Sequence, residues 1–291
     1  MFRRQRSGSV VCASCGSLVG VNDEQCYTCG RRNPSLWGFA PALRSLGGDL
    51  GFVTFVVGAC AALYVAMLVM SGAGMRMNGL LSLLSPSTDA LLLFGASGAI
   101  PVFGLGHWWT VASASWLHGG LLHIVLNMMG VRQLGPATAE LYGASRMVII
   151  YTIAGICGFL LSSVAGRYLY WMPLPFLRGA SLTIGASASI FGLLGAIVYY
   201  GRRGGSSAAR SHAMSYVVAM VIFGLIVPGI DNYAHAGGFF GGYLAARWLD
   251  PLRPERIDHI VGAVVCLGIS AVAILLSILK GFEALAAAAV R

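Results

Sequence analysis

Long apolar runs alternate with short polar stretches along most of the chain, and the runs are too unbroken for a soluble core. About 20 apolar residues in a helix cross the hydrocarbon core of a bilayer. On this pattern seven segments read as spans: 51–70, 116–134, 146–165, 182–200, 213–227, 233–248 and 260–279, the fifth being the shortest. Two regions break the pattern. Residues 1–34 form a polar, cysteine-bearing module, followed by a linker at 35–50, and are too few to fold on an apolar core of their own. Residues 71–117 are too apolar for a disordered loop, yet Pro86, Pro101 and several glycines interrupt them. With Trp108 and Trp109 near its end, this segment is expected to lie as a structured insertion in or on the membrane interface, where tryptophans collect. The expected fold is an all-α polytopic membrane protein with seven spans.

Polar groups inside a span are expensive and need a partner or a purpose. The second span carries His118, His123 and Asn127, the fourth Ser187 just after Gly185-Ala186, and the sixth His235. For a helix starting near Ser181, Ser187 lies about 8 Å along it at 1.5 Å per residue, and the two histidines fall at similar depths in spans of the same direction. A serine among residues this small can serve helix packing. It can also be a nucleophile, for which neutral His235 is a suitable base. His123 and Asn127, one turn apart, could aim donors at a developing oxyanion, together with a backbone N–H near Ser187. Gly238 and Gly242 give the sixth span a small face on which the fourth could lie close. Gly192 and Gly195 are expected to supply small surface on the other side of the fourth.

Composition narrows the class. The chain is 57% hydrophobic and 10% charged, against about 25% charged in soluble domains. The net charge of +9 comes with 18 arginines spread between the apolar runs, a topology signal rather than a nucleic-acid groove. With the N-terminus inside, fourteen cations fall on the inner side and five on the outer. The reading is therefore cytoplasmic N-terminus, outer C-terminus and, for location, the plasma (inner) membrane. No signal peptide is expected, since residues 1–44 contain no apolar run before a cleavage site.

Four of the seven cysteines, Cys12, Cys15, Cys26 and Cys29, form two CxxC pairs ten residues apart. Two such pairs can complete a tetrahedral structural Zn²⁺ site in a short ribbon, with Gly16 and Gly30 placed for the knuckle turns. A disulfide pair or a redox motif are the alternatives, and a reducing compartment favours metal. Cys60, Cys157 and Cys266 read as small membrane hydrophobes.

Taken in order, the spacing His118-x4-His123-x3-Asn127, then Gly185-x-Ser187, then His235-x2-Gly238-x3-Gly242 resembles the rhomboid family of intramembrane serine proteases over about 51–249. The resemblance implies Ser187 as nucleophile and His235 as base, a dyad without an acidic third member. It places His123 and Asn127 at the oxyanion hole, His118 in a structural role beside the site, and Phe191 against the catalytic histidine. It also implies hydrolysis of membrane-anchored proteins in or near their transmembrane segments, with the bilayer as partner and no cofactor or ATP. A catalytically inactive relative that binds transmembrane helices is the alternative. The resemblance further implies a six-helix core over 51–249, to which the seventh helix and tail over 250–291 and the cysteine module count as additions.

Two departures from the family pattern stand out. Trp109-Thr110 replaces the usual Trp-Arg of the first loop, and Ala188 replaces a glycine after the nucleophile. Among competing candidates, Ser97 sits in a better GxSG match but within the insertion, with no histidine helix expected to face it. Asp231 is expected to cap a helix rather than orient His235, and Ser189 to serve packing. His107, His212 and His259 fall in loops or at span ends.

Overall fold

The computed structural model describes residues 4–45, 47–77, 79, 82–174 and 177–289, so Arg3 and Arg291 of the charge tally lie outside the described residues. The N-terminal module is a two-stranded antiparallel hairpin, β1 Ser9–Val11 with β2 Leu18–Gly20, in which Val10 lies opposite Val19. Those two valines, Val21, Cys12 and Cys26 make its small buried cluster. A short helix, α1 Ala40–Arg44, leads to the membrane region.

Seven long helices follow: α2 Phe52–Ser71, α5 Leu121–Tyr142, α6 Ala144–Tyr168, α7 Ser187–Arg203, α8 Ser207–Ile226, α9 Asn232–Trp248 and α10 Ile257–Ala289. Each corresponds to one expected span. Four stretches, Phe52–Gly74, Ala144–Tyr168, Ser207–Ile226 and Ile257–Glu283, are long and apolar enough to cross a membrane by length and composition. The remaining three, α5, α7 and α9, carry the candidate residues His123 and Asn127, Ser187, and His235. Helices α6, α7 and α9 bury most of their surface against each other, whereas α2, α8 and α10 turn large apolar side chains such as Val69, Ile226 and Val264 outward, as lipid-facing helices do.

The insertion between α2 and α5 is structured, as expected. It contains a backbone bridge between Arg76 and Ser85, α3 Thr88–Phe94, a wide turn at Ile100–Gly104, α4 Thr110–Ser113 and a 3-10 turn at Ala114–Trp116.

Three expected helix starts move by five residues or more, α8 beginning at Ser207 instead of 213. The second span was drawn from residue 116, but α5 begins at Leu121 because 117–120 run extended into the helix, so His118 precedes the helix instead of lying in it. The fourth was drawn from residue 182, but α7 begins at Ser187 itself. Residues before it pair with the insertion: Ser97 and Thr183 exchange backbone bonds of 3.0 and 2.7 Å. Gly185 then takes φ +124, where a side chain would be strained. Ser187 is thus the first residue of its helix and not a turn inside it.

Candidate active site and cysteine cluster

The helix starts bring the polar residues to a common level. Ser187 is the first residue of α7, His123 the third of α5 and His235 the fourth of α9, so all three occupy the first turn of helices that begin at one end of the bundle. Ser187 Oγ and His235 Nε2 are 2.9 Å apart. The imidazole is buried and stacks on Phe191, with ring centroids 4.2 Å apart and planes 15° from parallel. Its other nitrogen, Nδ1, has no hydrogen-bond partner among the described residues.

Asp231 is accounted for elsewhere. One carboxylate oxygen caps α9 by accepting from Ala234 N–H at 3.0 Å, and the other accepts from the Ser162 hydroxyl. It does not orient the imidazole.

Backbone contact brings α7 and α9 close enough for that hydrogen bond. A Cβ at Gly238 would run into the Ala188 carbonyl oxygen, and one at Gly242 into the carbonyl of Gly192. Gly192 and Gly195 were expected on the opposite side of α7. Both instead meet α9, at the carbonyls of Gly238 and Phe239, with Ala154 of α6 also against Gly192. The departure at Ala188 is accommodated from α6, where Gly158 leaves space: a Cβ there would lie 2.7 Å from the Ala188 methyl.

His123 packs on the loop before the serine. Its Nε2 lies 2.6 Å from where a Gly185 side chain would start, and its Nδ1 accepts from Gly119 N–H at 3.3 Å. His118 is fully buried edge-on to His123, at 5.2 Å between ring centroids. Asn127 is buried one turn further in and donates its amide to the His123 carbonyl at 2.8 Å, while its Oδ1 has no partner among the described residues.

Another group of donors at this level is backbone. The first bond of α7 runs from Ile190 N–H to Ala186 O, so the N–H groups of Ser187, Ala188 and Ser189 are not used within the helix. A helix N-terminus offers those donors and the positive end of its dipole to a negative oxygen. Which N–H groups near Ser187 are unused depends on where the helix starts, and motif spacing does not give that.

The competing residues are placed as well. The Ser97 hydroxyl is buried against those of Ser163 and Thr110, 3.4 Å from each, and Ser189 faces Ser115 at 3.4 Å. Neither makes a hydrogen bond to a histidine side chain among the described residues. His107 stacks on Trp109, His212 meets Tyr216 edge-on, and His259 accepts from Arg256 N–H at 3.1 Å.

At the other end of the chain the four cysteine sulfurs lie within 4.8 Å of one another, Cys12 to Cys29 at 3.8 Å and Cys15 to Cys26 at 3.6 Å. Four thiolates at the usual metal–sulfur distance sit about 3.8 Å apart around tetrahedral zinc, so the cluster fits a structural metal. Gly16 and Gly30, at φ +81 and +72, turn the chain so that their N–H groups bond the carbonyls of Cys12 and Cys26. Burial first of all pushes the Cys29 thiol up to about 12. At Cys15 burial is outweighed by bonds with Ser17 and neighbouring thiols, and the thiol comes down to about 6. Binding a metal would require all four to be thiolates, so metal affinity would depend on pH.

The module meets the membrane core through a buried ion pair. Arg31, two residues past Cys29, meets Glu255 at 3.2 Å with both side chains buried. Glu255 also accepts from the N–H of Ser145 and Arg146, at 2.8 and 3.3 Å, at the start of α6.

Comparison with known proteins shows the family. The family model described as Rhomboid domain matches residues 105–251, half of the chain, spanning every member of the site. The chain is 33% identical over 168 residues to Rhomboid protease GluP of Bacillus subtilis (strain 168), covering 57% of this chain and 30% of that protein. It is 33% identical over 171 residues to RHOMBOID-like protein 7 of Arabidopsis thaliana, covering 56% and 49%. To Rhomboid-like protease 5 of Toxoplasma gondii it is 31% identical over 166 residues, covering 55% and 18%. The chain therefore spans less than half the length of these relatives. Since the matched region runs from the insertion through α9 and holds the serine, both helix-borne histidines and the glycine faces in one fold, the chain belongs to the rhomboid family.

Proposed function

We propose that this protein is an intramembrane serine endopeptidase that cleaves membrane-anchored proteins in or near their transmembrane segments. The observation that carries the reading is the 2.9 Å contact between Ser187 Oγ and His235 Nε2 at the N-terminus of α7. In the first step Ser187 Oγ attacks the scissile carbonyl carbon while its proton passes to Nε2 of neutral His235. Negative charge gathers on the former carbonyl oxygen, facing the unused N–H groups of α7, with His123 and Asn127 as side-chain donors. Asn127 must turn its amide away from the His123 carbonyl to take part. The tetrahedral intermediate then expels the amine, which takes its proton from His235. Water, activated by the same histidine, hydrolyses the acyl-enzyme.

Rhomboid proteases are among the relatives by name, which supports peptide hydrolysis over other acyl transfers. In the same reading Cys12, Cys15, Cys26 and Cys29 hold one structural Zn²⁺, the N-terminus is cytoplasmic and the C-terminus lies outside the plasma membrane. The test is labelling of the detergent-solubilised protein with a fluorophosphonate, together with cleavage of a model transmembrane substrate. Labelling and cleavage that vanish in Ser187→Ala and in His235→Ala support the dyad. Cleavage that survives in Ser187→Ala overturns it, and a wild type that binds transmembrane helices without labelling or cutting makes the protein an inactive relative.

A further inference from the structure

We infer that Ser277, on the seventh long helix α10, is a positioning residue for Ser187, acting through Trp109 and the Ala114 carbonyl. The inference rests on Ser187 being the nucleophile.

The path is short and made of defined bonds. Trp109 Nε1 donates to Ser277 Oγ at 3.0 Å, and Ser277 is buried. The serine's own proton goes to the Ala273 carbonyl one turn back, at 2.9 Å, which leaves its oxygen free to accept from the indole. Trp109 immediately precedes α4, and α4 runs without a break into the 3-10 turn at Ala114–Trp116. The Ala114 carbonyl accepts from Gly185 N–H at 2.9 Å. Gly185 is two residues before Ser187 and lies against the His123 ring. One short helical segment thus joins a side-chain hydrogen bond on α10 to a backbone hydrogen bond on the loop that ends at the serine.

Close packing makes the path stiff. Gly95 takes φ +99, and a Cβ there would lie 2.6 Å from Ser277 Oγ, while Ser113 donates to the Gly95 carbonyl at 2.6 Å. Gly281, one turn beyond Ser277, meets Leu93 of α3 directly. The insertion is therefore held on α10 at two successive turns. This also answers the missing Trp-Arg pair of the first loop: the tryptophan is present, and its anchor is a serine on another helix. An apolar residue at 277 could fill the space but would leave the indole N–H without this acceptor. Ser277 is buried, and a buried hydroxyl among apolar helices is costly unless its hydrogen bonds are made.

The test uses the full-length protein in detergent, with Ser277→Ala, Trp109→Phe and the double variant. Three quantities are read: the rate of fluorophosphonate labelling at Ser187, the kcat and KM for a model transmembrane substrate, and amide exchange in peptides covering 181–187. The expected result is labelling and kcat lowered about 10-fold by either single change, within the 100-fold that a 1 Å misplacement can cost. KM should move less than about twofold, and the double variant should be no slower than the slower single, as for residues acting as a unit. Exchange at 181–187 should rise in all three. Wild-type labelling in Ser277→Ala, effects that multiply in the double variant, or unchanged exchange at 181–187 would each overturn the inference. If the wild type itself labels nothing, the nucleophile reading falls. The exchange measurement then still decides the mechanical link, which stands if Ser277→Ala raises exchange and fails if it does not.

Discussion

Glu255 offers a quantitative test of how the cysteine module is joined to the membrane core. Its carboxylate accepts from Arg31 at 3.2 Å through one oxygen and from the Ser145 and Arg146 N–H groups through the other. The two side chains retain 6% and 2% of their exposure, so neither charge is rescued by water in place. Glu255→Gln keeps the shape, and its carbonyl can still cap α6. Its amide N–H₂, however, faces the Arg31 guanidinium, donor against donor. Removing one partner of a buried pair costs about 3–5 kcal/mol. The retained α6 cap puts this change near the lower figure, about 3 kcal/mol. At about 2–4 °C per kcal/mol for a domain of this size, thermal unfolding in detergent should fall by about 6–12 °C. The loss has a ceiling, because Arg31 regains water if the module lifts off the core. Limited proteolysis of the segment between β2 and α2 therefore belongs in the same experiment. The expected outcome is a lowered melting temperature, faster cleavage between 21 and 51, or both. Arg31→Gln combined with Glu255→Gln should recover part of the loss, since the stranded guanidinium is gone. A Glu255→Gln protein that melts within about 2 °C of wild type and stays equally protease-resistant would refute the claim that this pair docks the module.

The same pair bears on the metal. Stripping metal with a chelator, or replacing Cys12 and Cys15 by Ser, should lower the melting temperature of the whole protein as well as opening the hairpin, and elemental analysis should find about one zinc per chain in the intact protein. Asn127→Ala should slow cleavage of a transmembrane substrate between 10- and about 1000-fold, as loss of one oxyanion donor does, while Ser97→Ala and Ser189→Ala cut at close to the wild-type rate. Gly238→Ala should cost about 100-fold or more in kcat, despite alanine's better helix propensity, because its methyl pushes α9 off the Ala188 carbonyl; an active Gly238→Ala would show that the α7–α9 approach is not limiting. Reporter fusions after Arg32 and at the C-terminus should lie on opposite sides of the membrane, and reporters on one side would refute the seven-span topology.

Much of this was readable because membranes penalise polarity. Ser187, His235, His123 and Asn127 stood out as polar groups in apolar runs, and the small faces at Gly238 and Gly242 marked the helix pair that meets. The start of α7 was not readable. Residues 181–186 are as apolar as the helix that follows, and what keeps them out of it is the long-range pairing of Thr183 with Ser97 and of Gly185 with Ala114. His118 was assigned to a span for the same reason, since apolar composition does not separate an extended lead-in from the first turn of a helix. Arg31 and Glu255 were invisible as a pair at a separation of 224 residues. Nothing near either residue in the sequence points to the other, and in the charge asymmetry Arg31 is only one more inside cation.

These misses share a cause with the way the site is built. A Ser-His-Asp triad gains orientation from the acid that holds the second imidazole nitrogen. Here His235 Nδ1 has no partner among the described residues, and Asp231, close in sequence, is committed to capping α9 and to Ser162. What holds the imidazole is a stack on Phe191 and the closeness of two backbones, Gly238 on the Ala188 carbonyl and Gly242 on that of Gly192. The serine side is held likewise, by backbone bonds from the insertion to the loop before it. Orientation in this site is therefore a property of helix placement and not of a side-chain network. Substitutions far from the dyad in sequence, on α10 or at the start of α6, should then reach it through the helices they hold.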